Sequence, residues 1–161
     1  MPGKAGNPQR DDDATKTTTK EDIRLQTIKA TIERLSVLEI ELMNVRDFDH
    51  ATPAGREMLS HISTGFRAHH DNVATPMNLD DFMTHWRGMY AEMPDIHLEV
   101  TEVSSHVDDE RVHATVHLDT VMRGMGPDVA VGAMGELQWK LRKTDAKWML
   151  MSYLGLRGPA Y

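Results

Sequence analysis

The chain has 161 residues, of which 40% are hydrophobic, and this suffices for the core of one domain. Its formal net charge is −7 and it has no lysine or arginine block, which argues against a nucleic-acid or anionic-membrane surface. It contains no cysteine, no secretory signal and no apolar run long enough to span a bilayer, so we expect a cytoplasmic protein without disulfides or thiolate chemistry.

The first segments in chain order are a polar tail and a long helix. Residues 1–19 are too polar to bury surface and predict a disordered tail, and residues 20–158 predict one domain. The domain opens with a helix that ends near Asp47, and Thr18 with Glu21 fits a capping box. Its apolar residues recur at three- and four-residue steps, as expected for one buried stripe: Leu25, Ile28, Ile32, Leu35, Leu38, Leu42 and Val45.

Two shorter helices flank a predicted strand. Thr52 can cap a helix whose first residue is Pro53, a position that suits proline. Residues 65–71 alternate apolar and polar side chains, which is typical of a strand. Asn78 then opens a third helix, and Pro94 stops it because proline cannot continue a helix.

The rest of the chain is strand-like. Apolar and polar residues alternate after residue 95, through residues 111–122 and 128–142, and the last run, 147–156, is apolar on both faces and should be central. The order of elements predicts an α+β fold. In it, three N-terminal helices pack on the concave face of a curved, mostly antiparallel sheet and leave a cone-shaped pocket.

Three stretches carry a resemblance to a known fold family. They are MPDIHLEV (residues 93–100), VDDERVHATVHLDTVMRG (107–124) and LQWKLRKTDAKWMLMSYLGLRG (137–158). In this order they resemble the SnoaL-like branch of the NTF2-like, or cystatin-like cone, superfamily, and fungal proteins of this size look most similar. The resemblance implies the cone fold. It leaves function open, because the fold hosts polyketide cyclases, dehydratases, isomerases and non-catalytic modules.

The sequence departs from the cyclase pattern at one position. Cyclases of this family carry an acid/base histidine in a Gly-Thr-His-x-Gly run at the end of the long strand. Here the run begins at Thr120 and ends at the matching Gly124, and Met122 occupies the histidine position. The family's acid/base aspartate belongs to the next strand, where Glu136 has the parity opposite to Leu137. This departure argues against polyketide cyclisation.

Parity along the strands selects the candidate catalytic residues. His70 shares a face with Phe66 and could act as a general acid or base, or be a core histidine, since imidazole titrates near neutral pH. Glu102 continues an interior strand face, and Tyr90 lies on the third helix; both are candidate helpers. The expected substrate-binding residues are Phe66, Trp86, Met89, Met122 and Trp139, which could equally be core residues.

The cluster ERVHATVHLDT, residues 110–120, reads as the polar side of a strand. Val116 and its alternating neighbours favour the core, which places His113, His117 and Asp119 on the opposite face, unless a bulge reverses the parity. The two histidines lie four residues apart, roughly 13 Å along a strand, so they cannot chelate one ion together. We therefore expect neither a metal nor a cofactor.

Two functions remain compatible with these patterns. The first is an enzyme that moves protons on a small, largely apolar ligand, as in cyclisation, isomerisation or dehydration. The second is a non-catalytic module that binds a ligand or dimerises. A homodimer through the convex sheet face fits both, since a two-fold partner would cover the outer side chains of the last strand, predicted as Met149, Met151 and Tyr153, opposite Trp148, Leu150 and Leu154.

Overall fold

The computed structural model describes residues 18–160, so residues 1–17 of the predicted tail lie outside the described residues. Two helices come first, a strand and a third helix follow, and four further strands complete the chain. Their order is α1 (Lys20–Asn44), α2 (Pro53–Leu59), β1 (Ile62–His70), α3 (Leu79–Glu92), β2 (His97–Val107), β3 (His113–Arg123), β4 (Val131–Arg142) and β5 (Lys147–Ala160). No helix within residues 18–160 has the length and apolarity needed to cross a membrane.

Side-chain caps start the three helices. The predicted caps Thr52 and Asn78 are confirmed, because each side chain accepts a hydrogen bond from a backbone N–H of the first helical turn. The predicted capping box of α1 is wrong by one residue: Thr19 and Asp22 form it. The helix also ends earlier than expected, at Asn44, since the chain then turns through a positive φ of 65° at Arg46.

The strands form one five-stranded sheet in the order β1-β5-β4-β3-β2. The predicted antiparallel pairing of β2, β3, β4 and β5 is confirmed, and β1 joins β5 in parallel, which makes the sheet mixed. Three helices and this sheet give the α+β class that the sequence predicts. We call the side of the sheet that carries the buried residues its helix face, and the opposite side its outer face.

Two register shifts change which residues face the helices. A shift in β2 follows Val100, so Glu102 is exposed, and the prediction that it continues the interior face is wrong. A second shift leaves Met151 in β5 without a partner in β4. As a result Tyr153 lies on the helix face and Leu154 on the outer face, which reverses the predicted parity of both.

Helix α1 is fixed to the sheet by hydrogen bonds inside the core. The indole N–H of Trp139 in β4 donates to the Ser36 hydroxyl at 3.1 Å, and both residues are fully buried. At the end of the helix, the Asn44 side chain accepts from the backbone N–H of Leu98 and donates to its carbonyl, at 2.9 and 2.8 Å. These bonds satisfy polar groups that burial would otherwise destabilise.

The polar cluster of β3 lies on the outer face, as predicted. His113, His117 and Asp119 are exposed, and Val116 between them is fully buried. His117 Nε2 lies 3.2 Å from Glu136 on the neighbouring strand. Such exposed pairs contribute little to the stability of the fold.

Replacement of Ser36 by alanine should show how much the buried indole bond contributes. Ser36→Ala leaves the Trp139 N–H without its acceptor in the core, and we expect the free energy of unfolding to fall by about 1–3 kcal/mol. Urea denaturation measures this change. The matched control Ser104→Ala, on an exposed strand position, should change it by less than about 0.5 kcal/mol. Equal effects of the two substitutions would contradict the assignment.

Candidate functional site

A cavity of about 110 Å³ lies between the helices and the sheet. Its sheet side comes from Leu98 of β2 and from β3, β4 and β5, and its walls come from Ile40 of α1, from α3 and from the end of β1. Most of the lining is apolar, with four methionines among it: Met89, Met93, Met122 and Met125. The polar lining residues are His70, Asn72, Thr120, Tyr153 and Arg157. An apolar cavity with a few convergent polar groups is the usual form of a small-molecule site.

His70, the last residue of β1, is the cavity group best suited to move a proton. Its side chain is only 9% exposed, and its Nδ1 lies 3.1 Å from Asp71 Oδ1 without hydrogen-bond alignment. Asp71 accepts the backbone N–H of Arg157 at 3.0 Å, and this bond, aided by the charges of His70 and Arg157, holds the pKa of the Asp71 carboxyl below its usual value. An ionised carboxylate therefore stands beside the imidazole.

Tyr153 is the second polar group of the cavity, and two glycines make room for it. Gly135 and Gly155 are partners across β4 and β5, and an added Cβ at either would lie about 3 Å from the Tyr153 ring. The Tyr153 hydroxyl oxygen and His70 Cδ2 would each lie 3.0 Å from a Cβ added at Gly155, so the two side chains are neighbours. Burial, and next the Asp71 carboxylate, raise the pKa of Tyr153 to about 12. The phenol is thus a hydrogen-bond donor at neutral pH.

A second histidine approaches His70 from α3. The ring centroids of His85 and His70 are 5.6 Å apart, and Trp86 packs edge-on against both at 6.3 Å. His85 Nε2 and Trp86 Nε1 are buried without a hydrogen-bond partner in the described chain. Burial, and next the nearby His70, lower the pKa of His85, so this second imidazole is neutral near pH 7.

The predicted site residues divide into two groups. His70, Trp86, Met89 and Met122 line the cavity. Glu102 does not, because the β2 shift turns it to the exposed side.

The other three predicted residues are buried but do not line the cavity. Tyr90 points toward the end of α1, where its hydroxyl donates to Asn44 at 3.4 Å and the Arg46 guanidinium lies 3.7 Å from the ring centroid. Phe66 packs against α3, and Trp139 is held under α1 by the bond to Ser36. Strand parity for Phe66 and Trp139, and helical spacing for Tyr90, predicted the interior correctly, but neither pattern distinguishes close-packed core from cavity lining.

Sequence reasoning missed the Tyr153 hydroxyl, Asn72 and Thr120. The alternation of the last strand predicts Tyr153 on the outer face, since nothing local marks the shift at Met151. One available signal was Gly155, a buried glycine two residues after a tyrosine in a strand, because glycine there often marks a close approach. Within residues 18–160, no group of three or more histidine, aspartate or glutamate side chains could hold a metal ion.

Comparison with known proteins identifies the fold. No protein-family model and no curated protein matches the sequence. Solved structures do match. The chain is similar to a hexachlorocyclohexane dehydrochlorinase from Novosphingobium barchaimii, with 11% identity, a TM-score of 0.67 and coverage of 86% of this chain and 90% of that one.

Two further structures agree with this match. An NTF2-like protein of unknown function from Pseudomonas putida is 11% identical, with a TM-score of 0.63 and coverage of 81% and 86% of the two chains. A protein provisionally named a scytalone dehydratase, from Novosphingobium aromaticivorans, is 11% identical, with a TM-score of 0.63 and coverage of 88% and 90%. The fold is therefore NTF2-like, whereas the expected fungal origin is not supported.

A methyl group at Gly155 should disturb the site directly. In Gly155→Ala the new Cβ meets Tyr153 and His70 at about 3 Å, so both rings must move. We expect a loss of about 1–3 kcal/mol in the free energy of unfolding and a shift of the His70 ring resonances in NMR spectra.

Gly88→Ala on α3 is the matched control, because no atom lies within 4 Å of its added Cβ. It should stabilise the protein by about 0.5–1 kcal/mol and leave the His70 resonances unchanged. Unchanged stability and spectra in Gly155→Ala would show that the three residues are not in contact.

Proposed function

We propose that the protein binds a small, largely apolar molecule in this cavity and transfers a proton on it without a cofactor, with His70 as general base and acid. The observation that supports this most is the enclosed His70 imidazole, which faces an apolar cavity and has the ionised Asp71 behind it. We further propose membership in the SnoaL-like branch and a cytoplasmic location.

The chemistry follows from the charges. When His70 removes a proton from the ligand it becomes an imidazolium, and the Asp71 carboxylate 3.1 Å away stabilises that charge. Loss of the proton leaves an electron pair and negative charge on the ligand, and a hydrogen-bond donor beside that charge stabilises it. The neutral Tyr153 phenol, beside His70 across Gly155, can supply that hydrogen bond in a largely apolar site. This assignment gives Tyr153 the helper role that was first expected for Tyr90 and Glu102.

The structural neighbours are compatible with this chemistry. The names dehydrochlorinase and dehydratase denote eliminations, in which a proton leaves carbon while chloride or water departs. Isomerisation and cyclisation begin with the same proton transfer. The identity of 11% transfers the fold alone, so the proposal rests on His70, Asp71 and Tyr153 of this chain.

One observation favours a second candidate, a non-catalytic ligand-binding module. Met122, at the position where cyclases carry their histidine, lines the cavity. A protein that retained the cavity only to hold a ligand would tolerate this change. Proton transfer by His70 distinguishes the two candidates.

We also propose that two copies associate through the outer face. Met134, Leu154 and Leu156 are 36–44% exposed there, and Met134 and Leu156 are cross-strand partners. A two-fold partner laid on this face would cover all three.

Proton transfer can be tested with cyclohexanone as the probe, through exchange of its α-protons with D₂O followed by NMR. We expect the protein to accelerate exchange and His70→Gln to reduce the accelerated rate by about 10²–10⁴-fold, because the base is lost. The control His69→Gln changes the adjacent histidine, which is exposed, and should keep the full rate. If cyclohexanone binds and the wild type exchanges it no faster than buffer, the non-catalytic alternative holds.

Association can be tested by light scattering at micromolar concentration. We expect twice the mass of one chain for the wild type and the mass of one chain for Leu154→Glu, since a buried carboxylate without a partner destabilises an interface. The control Leu59→Glu places the same charge at an exposed leucine of α2 and should leave the mass doubled. A wild type with the mass of one chain would refute the dimer.

A further inference from the structure

The volume of the cavity limits the ligand to about one ring. An apolar cavity of about 150 Å³ holds one benzene molecule. The present cavity, at about 110 Å³, is of the same order, and its methionine walls can move to admit a six-membered ring. A second fused ring exceeds this volume, and the Trp86 wall cannot yield easily because that side chain is fixed in the core at 2% exposure.

The charges around the cavity favour an uncharged ligand. Arg157 is the one arginine or lysine in the lining, and the carboxylate of Asp71 already opposes it, with Arg157 Nε 3.7 Å from Asp71 Oδ1. The same carboxylate stands behind His70. An anionic ligand would therefore lose its hydration among methionines without gaining an unopposed cation, which is strongly unfavourable.

Among the lining residues, the buried Trp86 indole N–H and the Tyr153 hydroxyl are donors without a hydrogen-bond partner in the described part of the chain. The Thr120 hydroxyl already donates to the Ala133 carbonyl at 3.3 Å. The Tyr153 hydroxyl forms no hydrogen bond with another residue in the described part of the chain, and its ring is held by Phe82 at 5.3 Å between centroids and by Gly135 and Gly155. A ligand oxygen that accepts from this fixed phenol would satisfy it.

We infer that the ligand is an uncharged molecule with a single ring and one carbonyl oxygen. The oxygen accepts a hydrogen bond from Tyr153, and the α-carbon next to the carbonyl faces His70. A monocyclic ketone has this chemistry. This inference rests on the cavity of the proposed function and adds the size, charge and polarity of its ligand. Binding can be measured whether or not His70 transfers a proton.

The test is calorimetric or NMR titration of the full chain with four probes. Cyclohexanone has the expected ring, neutrality and oxygen. Methylcyclohexane lacks the oxygen, cyclohexanecarboxylate adds a charge, and 2-decalone adds a second ring. We expect cyclohexanone to bind most tightly, and the variant Ala133→Leu, which fills the cavity, to abolish its binding.

Tyrosine variants test the hydrogen bond. Tyr153→Phe removes only the hydroxyl and should weaken cyclohexanone binding by about threefold to tenfold, with no effect on methylcyclohexane. The matched control Tyr90→Phe removes a hydroxyl that is bound to Asn44 outside the cavity, so the affinity should stay unchanged.

Three results would overturn the inference: no binding of cyclohexanone, tighter binding of the carboxylate or of 2-decalone, or equal affinity in Tyr153→Phe. These outcomes are separable from failure of the proposed function. Cyclohexanone that binds through Tyr153 without proton exchange refutes catalysis alone. Exchange on the bicyclic ketone that depends on His70, with no binding of cyclohexanone, refutes the ligand class alone.

Discussion

The packing of helix α1 against the sheet is the constraint on which the rest of the structure depends. The stripe of α1 buries Ile32, Leu35 and Met43 almost completely, and the buried bond from Trp139 to Ser36 fixes how the helix lies on β4. Asn44 ties the end of α1 to β2. A buried polar pair of this kind specifies one arrangement, because a shift of the helix would leave the Trp139 indole N–H without its acceptor, while Ser36 would keep its own bond to the Ile32 carbonyl within the helix.

The cavity follows from where that packing stops. Beside Ile40 the space over β3, β4 and β5 is covered by α3, whose Trp86 and Met89 form the wall. Gly135 and Gly155 have no side chains on this part of the sheet, and the Tyr153 ring lies in the space that a Cβ would otherwise occupy. The close-packed core and the cavity thus lie on the same helix face of the sheet. Helix α1 covers the core part and α3 covers the cavity part.

The electrostatics of the site come from a few groups at the end of β1. Asp71 is held ionised by the β5 backbone and lies beside both His70 and Arg157. One carboxylate therefore supports the imidazole, opposes the arginine and helps to keep the Tyr153 phenol protonated. Structures with the same fold differ from this chain at almost nine positions in ten, so the chemistry of each must be sought in its own lining residues.

The sequence by itself determined the elements and most of their faces. Helix caps such as Thr52 and Asn78, and the alternation that buries Val116 and exposes His117, depend on neighbours within a few residues, and they could be predicted from the chain alone. The NTF2-like fold was also predicted, because the order of these elements together with three local stretches resembles that superfamily.

Only the tertiary structure decided which residues form the site. The shifts after Val100 and at Met151 arise from the register between paired strands, and each reverses the parity of the residues that follow it. One shift removed Glu102 from the interior and the other brought in Tyr153. The alternation of apolar and polar residues within one strand does not reveal such a shift. The position of the unpaired residue depends on the partner strand and on the helices packed against the sheet.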